Sequence, residues 1–155
     1  MESWIFREPE RFRQEREAIE NLKRAADWLV VADWNIEGEG LCVDAVIRAH
    51  GHDYEVRLLY PHLFPHVPPI VRPRNAQGRW STHQYVGPNG VLCLEYRSDN
   101  WRPEITGAQM LESTHRILDI ENPLGENRPE RPVIAPSAHQ LLSVKRSEAN
   151  WHAGM

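Results

Sequence analysis

The residue whose type and setting could do chemistry is Cys93. It follows a turn, Gly87-Pro88-Asn89-Gly90, and sits in a short apolar run, Val91-Leu92-Cys93-Leu94. A polar loop, Arg97-Ser98-Asp99-Asn100, then leads to Trp101 and Pro103. Glycine and asparagine take the positive φ angles of a tight reversal, and proline fixes one more torsion. The thiol is therefore expected just beyond a rigid turn, within reach of a small partner group. As a thiolate it would be a nucleophile. The competing reading is a buried apolar filler, the commonest fate of a free cysteine. His62 and His66 invite a metal reading, but they lie in a proline-broken loop with no third ligand at a telling spacing. The two cysteines, Cys42 and Cys93, form no CxxC pair, so a zinc-finger reading has no support either.

Positioning such a thiol needs a framework, and 155 residues suffice for one domain with a real core. A formal charge of −4 without a basic run speaks against nucleic acid as the main partner. No apolar stretch approaches the roughly 18 residues that cross a bilayer. Residues 1–10 carry acid and proline where a signal peptide needs a basic and then an apolar run. The expected compartment is the cytoplasm, where two cysteines in different elements do not make a disulfide framework. Six tryptophans and twelve prolines point to long, stiffened loops. The ending, Asn150 to Met155, carries no stop signal, so the chain could be part of a longer one.

Pro9 to about Asp27 reads as a helix. Phe12, Ile19, Leu22 and Ala26 recur on one face, and Arg11, Glu15, Arg16, Glu17, Glu20 and Arg24 form a charged, solvated remainder or a docking surface. Three alternating runs follow. The first gathers Trp28, Val30, Ala32, Trp34 and Ile36, the second Leu41, Val43, Ala45, Ile47 and Ala49, the third Tyr54, Val56, Leu58 and Tyr60. Glycine-containing turns join them, which predicts an antiparallel meander with the first helix over one side. Cys42 falls off the most apolar face, as an inert strand residue. Residues 60–73 are an ordered proline-rich loop pinned by Leu63 and Phe64, with Ile70-Val71-Arg72 as a short fourth strand. Thr106-Gly107-Ala108-Gln109 is a capping box for a second helix, with Met110, Leu111, Thr114, Ile117 and Leu118 as its apolar stripe and Asn122-Pro123 as its end. Beyond it come a proline-rich loop over 123–136 and a last helix over 137–151.

In this order and spacing the residues resemble the ubiquitin-conjugating enzymes, over roughly Pro9 to Pro123. Tyr60-Pro61-His62-Leu63-Phe64-Pro65, followed by Pro68-Pro69, is similar to the family's aromatic-Pro-x-x-Tyr-Pro…Pro-Pro signature. Val91-Leu92-Cys93-Leu94, ten residues after His83, matches its active-site cysteine and the His of its His-Pro-Asn tripeptide. Trp101-x-Pro103, leading into a helix that ends Asn122-Pro123, is the third motif. One departure matters: the tripeptide here reads His83-Gln84-Tyr85, so Tyr85 stands where the family has the Asn usually assigned to the oxyanion. Losing such a donor can cost about 10²–10³ in rate. Tyr85 offers one O–H instead, and Asn89 and Asn100 are other substitutes. Similar departures occur in divergent eukaryotic members of the family and in bacterial relatives. The bacterial ones resemble parts of antiphage operons, including those that attach a cGAS-like nucleotidyltransferase to targets. The departure points toward that bacterial group.

The resemblance implies an α+β UBC-like fold over 1–155: N-terminal helix, four-stranded antiparallel meander, active-site cysteine loop, central helix and C-terminal helix. It implies acyl carriage. An activating (adenylating) enzyme would present the C-terminus of a ubiquitin-like modifier, or of a cGAS-like protein, and Cys93 would take it as a thioester. An acceptor lysine protein would then receive it. No cofactor, metal, nucleic acid or membrane is implied. His83 would fix the loop by hydrogen bonds, and Trp101 would pack as the floor of the site. Aminolysis needs a proton acceptor, for which Glu95, Asp99 and Glu126 are candidates and Glu126 is the first choice, beside the position where the family keeps an acid. The proline-rich loop and the first helix would meet partners. Two rivals stand: a non-catalytic module of the same fold that binds a ubiquitin-like protein, and a cysteine hydrolase using Cys93 and His83 without a clear orienting acid.

Overall fold

A computed structural model of the chain describes residues 3–37, 40–74, 80, 91–92, 94–96 and 98–125. A one-turn helix α1 (Trp4–Arg7) precedes α2 (Pro9–Ala25), which opens on a proline whose fixed φ suits a first turn. The sequence predicts the second helix but not the first. The cause of α1 is Trp4, which is fully buried and contacts the rings of Phe12, Tyr60 and Phe64 at 5.8, 5.4 and 4.7 Å between centroids.

Strands β1 (Leu29–Glu37), β2 (Gly40–Ala49), β3 (His52–Leu59) and β4 (Ile70–Pro73) form one antiparallel sheet in chain order. The two-residue connection between β2 and β3, His50-Gly51, has positive φ at both positions, the geometry that matches strand twist in a tight hairpin. Ala45 pairs with Ala32 and Val56, and Val43 with Trp34 and Leu58, so the predicted alternation holds across these three strands. It fails at the start of β1. A register shift between Leu29 and Val31 puts Leu29, opposite Ile47, into the core position expected of Trp28 and Val30. Trp28 instead stacks on His115 at 4.2 Å. Pro73 closes β4, the short strand at one side of the sheet, where a missing donor is tolerated.

Helix α3 (Gly107–Glu121) begins with the expected capping box: Gln109 N–H donates to Thr106 Oγ1 and Thr106 N–H to Gln109 Oε1. Its end is Asn122, in the left-handed conformation at φ 45°. Met110, Leu111, Thr114, Ile117 and Leu118 are all buried. α2 packs on β1, through Phe12 against Trp34 at 5.4 Å, and α3 packs on β2, β3 and β4. Both helices thus cover the same face of the sheet. On the opposite face Cys42 is off the apolar stripe as expected, yet wholly buried, with its thiol donating to Asn35 O at 3.6 Å. Beside it Asp44 forms a buried bidentate pair with Arg57, at 2.7 and 3.1 Å, and accepts from Asn35 Nδ2 at 3.1 Å. Burial pushes the Asp44 carboxyl up, but the Arg57 and Asn35 hydrogen bonds and the guanidinium charges outweigh it, leaving the pKa below the ordinary 3.8.

The charged remainder of α2 is not all solvated, and this is the main correction to the sequence reading. Glu15 is completely buried. Its Oε1 accepts from the Tyr60 hydroxyl at 2.7 Å and from the Gly107 N–H at 2.7 Å, and its Oε2 accepts from Arg11 Nε at 3.2 Å. Burial, reinforced by the adjacent carboxylate, drives the Tyr60 hydroxyl well above its ordinary pKa of 10.0, so it remains a donor. Gly107 is required because a Cβ there would run into the Tyr60 hydroxyl and lie 2.8 Å from Leu58 Cδ2.

Two stability measurements follow from this packing. Gly107→Ala is expected to cost about 2–3 kcal/mol in urea unfolding by overpacking. Adding Tyr60→Phe, which removes the clashing oxygen, should make the pair less destabilised than the sum of the singles. Asp44→Asn is expected to cost about 3 kcal/mol at neutral pH by unpairing a buried ion pair. Because the folded pKa of Asp44 is depressed, its contribution is complete above the unfolded value near 3.8 and fades as pH falls through the folded one. The gap between wild type and variant in acid titration should close in that window and stay constant above it.

Candidate functional site

The candidate site is the neighbourhood in which the chain passes position 93. Cys93, His83, Tyr85, Glu126 and Asn89 lie outside the described residues, as does the helix expected over 137–151. The residues that frame the neighbourhood are described. Leu92 and Leu94 are both buried in the core. The Leu92 N–H donates to Val71 O of β4 at 2.8 Å, so the chain is tied to the sheet immediately before position 93.

After position 93 the ties go to α3 and to the following loop. The Glu95 N–H donates to Ser113 Oγ at 3.1 Å, and the Glu95 carbonyl accepts from Asn100 Nδ2 at 2.6 Å. The Glu95 carboxylate, 16% exposed, pairs with the Arg116 guanidinium. Two sequence candidates thereby change meaning. Glu95 is held by a cation rather than presented as a proton acceptor, and Asn100 spends a donor on the backbone. Asp99 is exposed.

The next turn of chain is fastened to the proline-rich loop and to α2. Trp101 packs against the core as expected, and its indole N–H also donates to Pro65 O at 2.8 Å. Arg11 reaches across from α2 to the carbonyls of Pro103 and Ile105, the latter at 2.7 Å, with its guanidinium over the Phe64 ring at 4.9 Å. Phe64 is fully buried and pins the proline-rich loop, whereas Leu63, expected to share that task, is 59% exposed. Beside this loop an apolar cleft of about 480 Å³ opens between α1 and the β1–β2 hairpin, lined by Trp4, Phe6, Ile36, Leu41, Val67 and Pro68 among others.

His62 and His66 are exposed, and among the described residues no three His, Cys, Asp or Glu side chains come together as a metal site. The positions that sequence reasoning missed are Arg11, Glu15, Ser113 and Arg116. A signal existed for two of them. Glu15 falls between Phe12 and Ile19 on the apolar stripe of α2, and Ser113 falls between Met110 and Ile117 on that of α3. A polar residue at such a position must bury a hydrogen-bonding group, and so needs a partner. No model of a known protein family matches the chain.

Arg11 serves three acceptors on two elements, and a lysine ammonium lacks the planar fork that spans them. Arg11→Lys is therefore expected to lose about 2–4 kcal/mol in denaturant unfolding. Hydrogen exchange should report the loss first at the amides of residues 98–107.

Proposed function

We propose that the protein is a ubiquitin-conjugating-like transferase with Cys93 as its nucleophile. It carries a ubiquitin-like modifier, or the C-terminus of a cGAS-like nucleotidyltransferase, as a thioester and passes it to an amine, in bacterial antiphage defence. The observation that carries this reading is the bond from the Trp101 indole to Pro65 O. It joins, in space, two of the three motifs on which the resemblance rests, although they lie 36 positions apart. The meander of four strands under two helices is compatible with the same reading.

The chemistry begins with the Cys93 thiolate attacking the thioester carbonyl held on an activating enzyme. The C–S bond to that enzyme breaks, its sulfur leaves as thiolate, and the acyl group is now on Cys93. A thiol of pKa near 8.5 is only a few per cent ionised at pH 7, which suffices because one thioester is exchanged for another. In the second step an amine lone pair attacks the Cys93 thioester, the ammonium proton is lost, and Cys93 leaves as thiolate from an amide. An amine of pKa about 10.4 must first be deprotonated, a task this reading gives to Glu126. His83 fixes the loop, and Tyr85 takes the donor position of the family's Asn. The apolar cleft beside the proline-rich loop is the surface this reading gives to the activating enzyme or ligase.

A second reading is favoured by one residue, Tyr85: a non-catalytic module of the same fold that binds a ubiquitin-like protein. Co-expression with the genomic neighbours, followed by non-reducing gels and intact mass, separates the two. The transferase reading expects a thiol-sensitive adduct on the wild type that is lost in Cys93→Ala, with a mass that names the modifier. No adduct on either protein, beside an activating enzyme that is itself charged, would hand the case to the binding module.

A further inference from the structure

We infer that His50 and His115 make the C-terminal end of α3 a pH-sensitive clasp: one fall in pH tightens its hold on the β2–β3 hairpin and loosens its hold on the turn between α2 and β1. The inference goes beyond the transferase reading and does not depend on it. Two backbone irregularities bring the groups together. His50 sits in the hairpin turn at φ 52°, a conformation that asparagine or glycine takes more readily. Its ring Nε2 lies 2.8 Å from the Asp119 carbonyl oxygen and 3.2 Å from Asp119 Oδ1. The register shift near Leu29 takes Trp28 out of the core position, and its indole lies flat against the His115 ring, 4.2 Å away and 6° from parallel.

The Asp119 carbonyl is among the last of α3, which find no partner within a helix. A donor on that oxygen caps the helix, and a positive charge there meets both the negative end of the dipole and the Asp119 carboxylate. A neutral His50 ring can donate from Nε2, and a protonated one makes the same bond charge-assisted. His115 responds in the opposite sense. Its half-buried ring has its pKa lowered from the ordinary 6.5, first by burial, with the Arg116 and His50 charges acting the same way and Asp119 and Asp27 opposing them. Those groups face it from α3, from the hairpin and from the α2–β1 turn, while Arg48 and Asp53 of the hairpin pair with each other. With a depressed folded pKa, neutral His115 contributes fully above the unfolded value near 6.5. That contribution is lost as pH falls through the folded one.

The test is amide hydrogen exchange on the full chain between about pH 7.5 and 5.5, the range in which imidazoles titrate, expressed as protection relative to the unstructured rate at each pH. Two amides report the two attachments: Asn122, bonded to Leu118 O at the end of α3, and Leu29, bonded to Ala26 O in the α2–β1 turn. Protection at Asn122 is expected to rise with acid by about two- to fivefold, the range of a charge at a helix end. Protection at Leu29 is expected to fall by a similar factor, while the amides of β2, the strand paired on both sides, report any global opening. His50→Asn suits the turn but carries no charge, and should abolish the rise at Asn122. His115→Phe keeps the stack without the proton, and should abolish the fall at Leu29. Asp119→Asn, at an exposed position, should reduce the rise at Asn122 and serves if either histidine variant fails to fold. Profiles at Asn122 and Leu29 that do not change with pH, or that follow pH in the variants as in the wild type, overturn the inference. So does protection at Leu29 that rises with acid, the result if the indole face held a charged ring.

Discussion

A fully buried carboxylate on an otherwise amphipathic helix is the constraint on which the rest of this structure depends. Taking an ionised carboxylate out of water costs several kcal/mol unless donors replace its hydration. Glu15 finds them on three elements at once: Arg11 one turn earlier on α2, the Tyr60 hydroxyl just past β3, and the first N–H of α3. The last of these is also the positive end of a helix dipole, where a carboxylate is favoured. Satisfying one side chain therefore fixes where α2, the end of β3 and the start of α3 meet. It also dictates the glycine at 107, because the helix N–H can approach the carboxylate only where no Cβ meets the Tyr60 hydroxyl.

The same node sets the loop that follows position 93. Arg11, oriented by Glu15, is the group that holds the carbonyls of Pro103 and Ile105, and its face covers Phe64 at the base of the proline-rich loop. Single neutral hydrogen bonds such as Trp101 to Pro65 contribute only about 0.5–1.5 kcal/mol each. The buried ionic cluster involves several times that. The loop's shape is thus subordinate to the cluster, and the hydrogen bonds at Asn100 and Trp101 refine a path that Arg11 and α3 have already determined.

How much of this could be read from the chain depends on the kind of physics each feature uses. Alternation over β2 and β3, the capping box at Thr106 and the stop at Asn122 rest on local periodicity and local hydrogen bonding, and they stand where the sequence puts them. The bulge near Leu29 does not, because a one-residue irregularity is set by the partner strand's register. Residue type puts Glu15 and Arg11 on the charged outer side of α2, as solvated face or docking surface, although spacing alone places Glu15 on the apolar stripe. The same habit concealed Asp44 and Arg57, buried on the sheet's second face. Of the neighbourhood around position 93, the order of motifs was legible. The ties from Glu95 to Asn100, Ser113 and Arg116 were not, since they depend on the orientation of α3 against the returning chain.

The placing of charge in this neighbourhood bears on what a thioester-carrying cysteine needs. Exchange between two thioesters is close to balanced, so little activation is required of the thiol, but the attacking sulfur must meet the carbonyl along a narrow approach. A free carboxylate two residues away would work against even that modest ionisation, because a like charge disfavours the thiolate. In Glu95 the charge is present but paired with Arg116, and the backbone that carries it is fixed from both sides. On the transferase reading, the acid two positions after Cys93 in the chain is thus balanced by a cation and is not left as an unpaired anion. The strongest buried charges, meanwhile, act at a distance: the Glu15 cluster sets the start of α3, and α3 in turn carries Ser113 and Arg116 to Glu95.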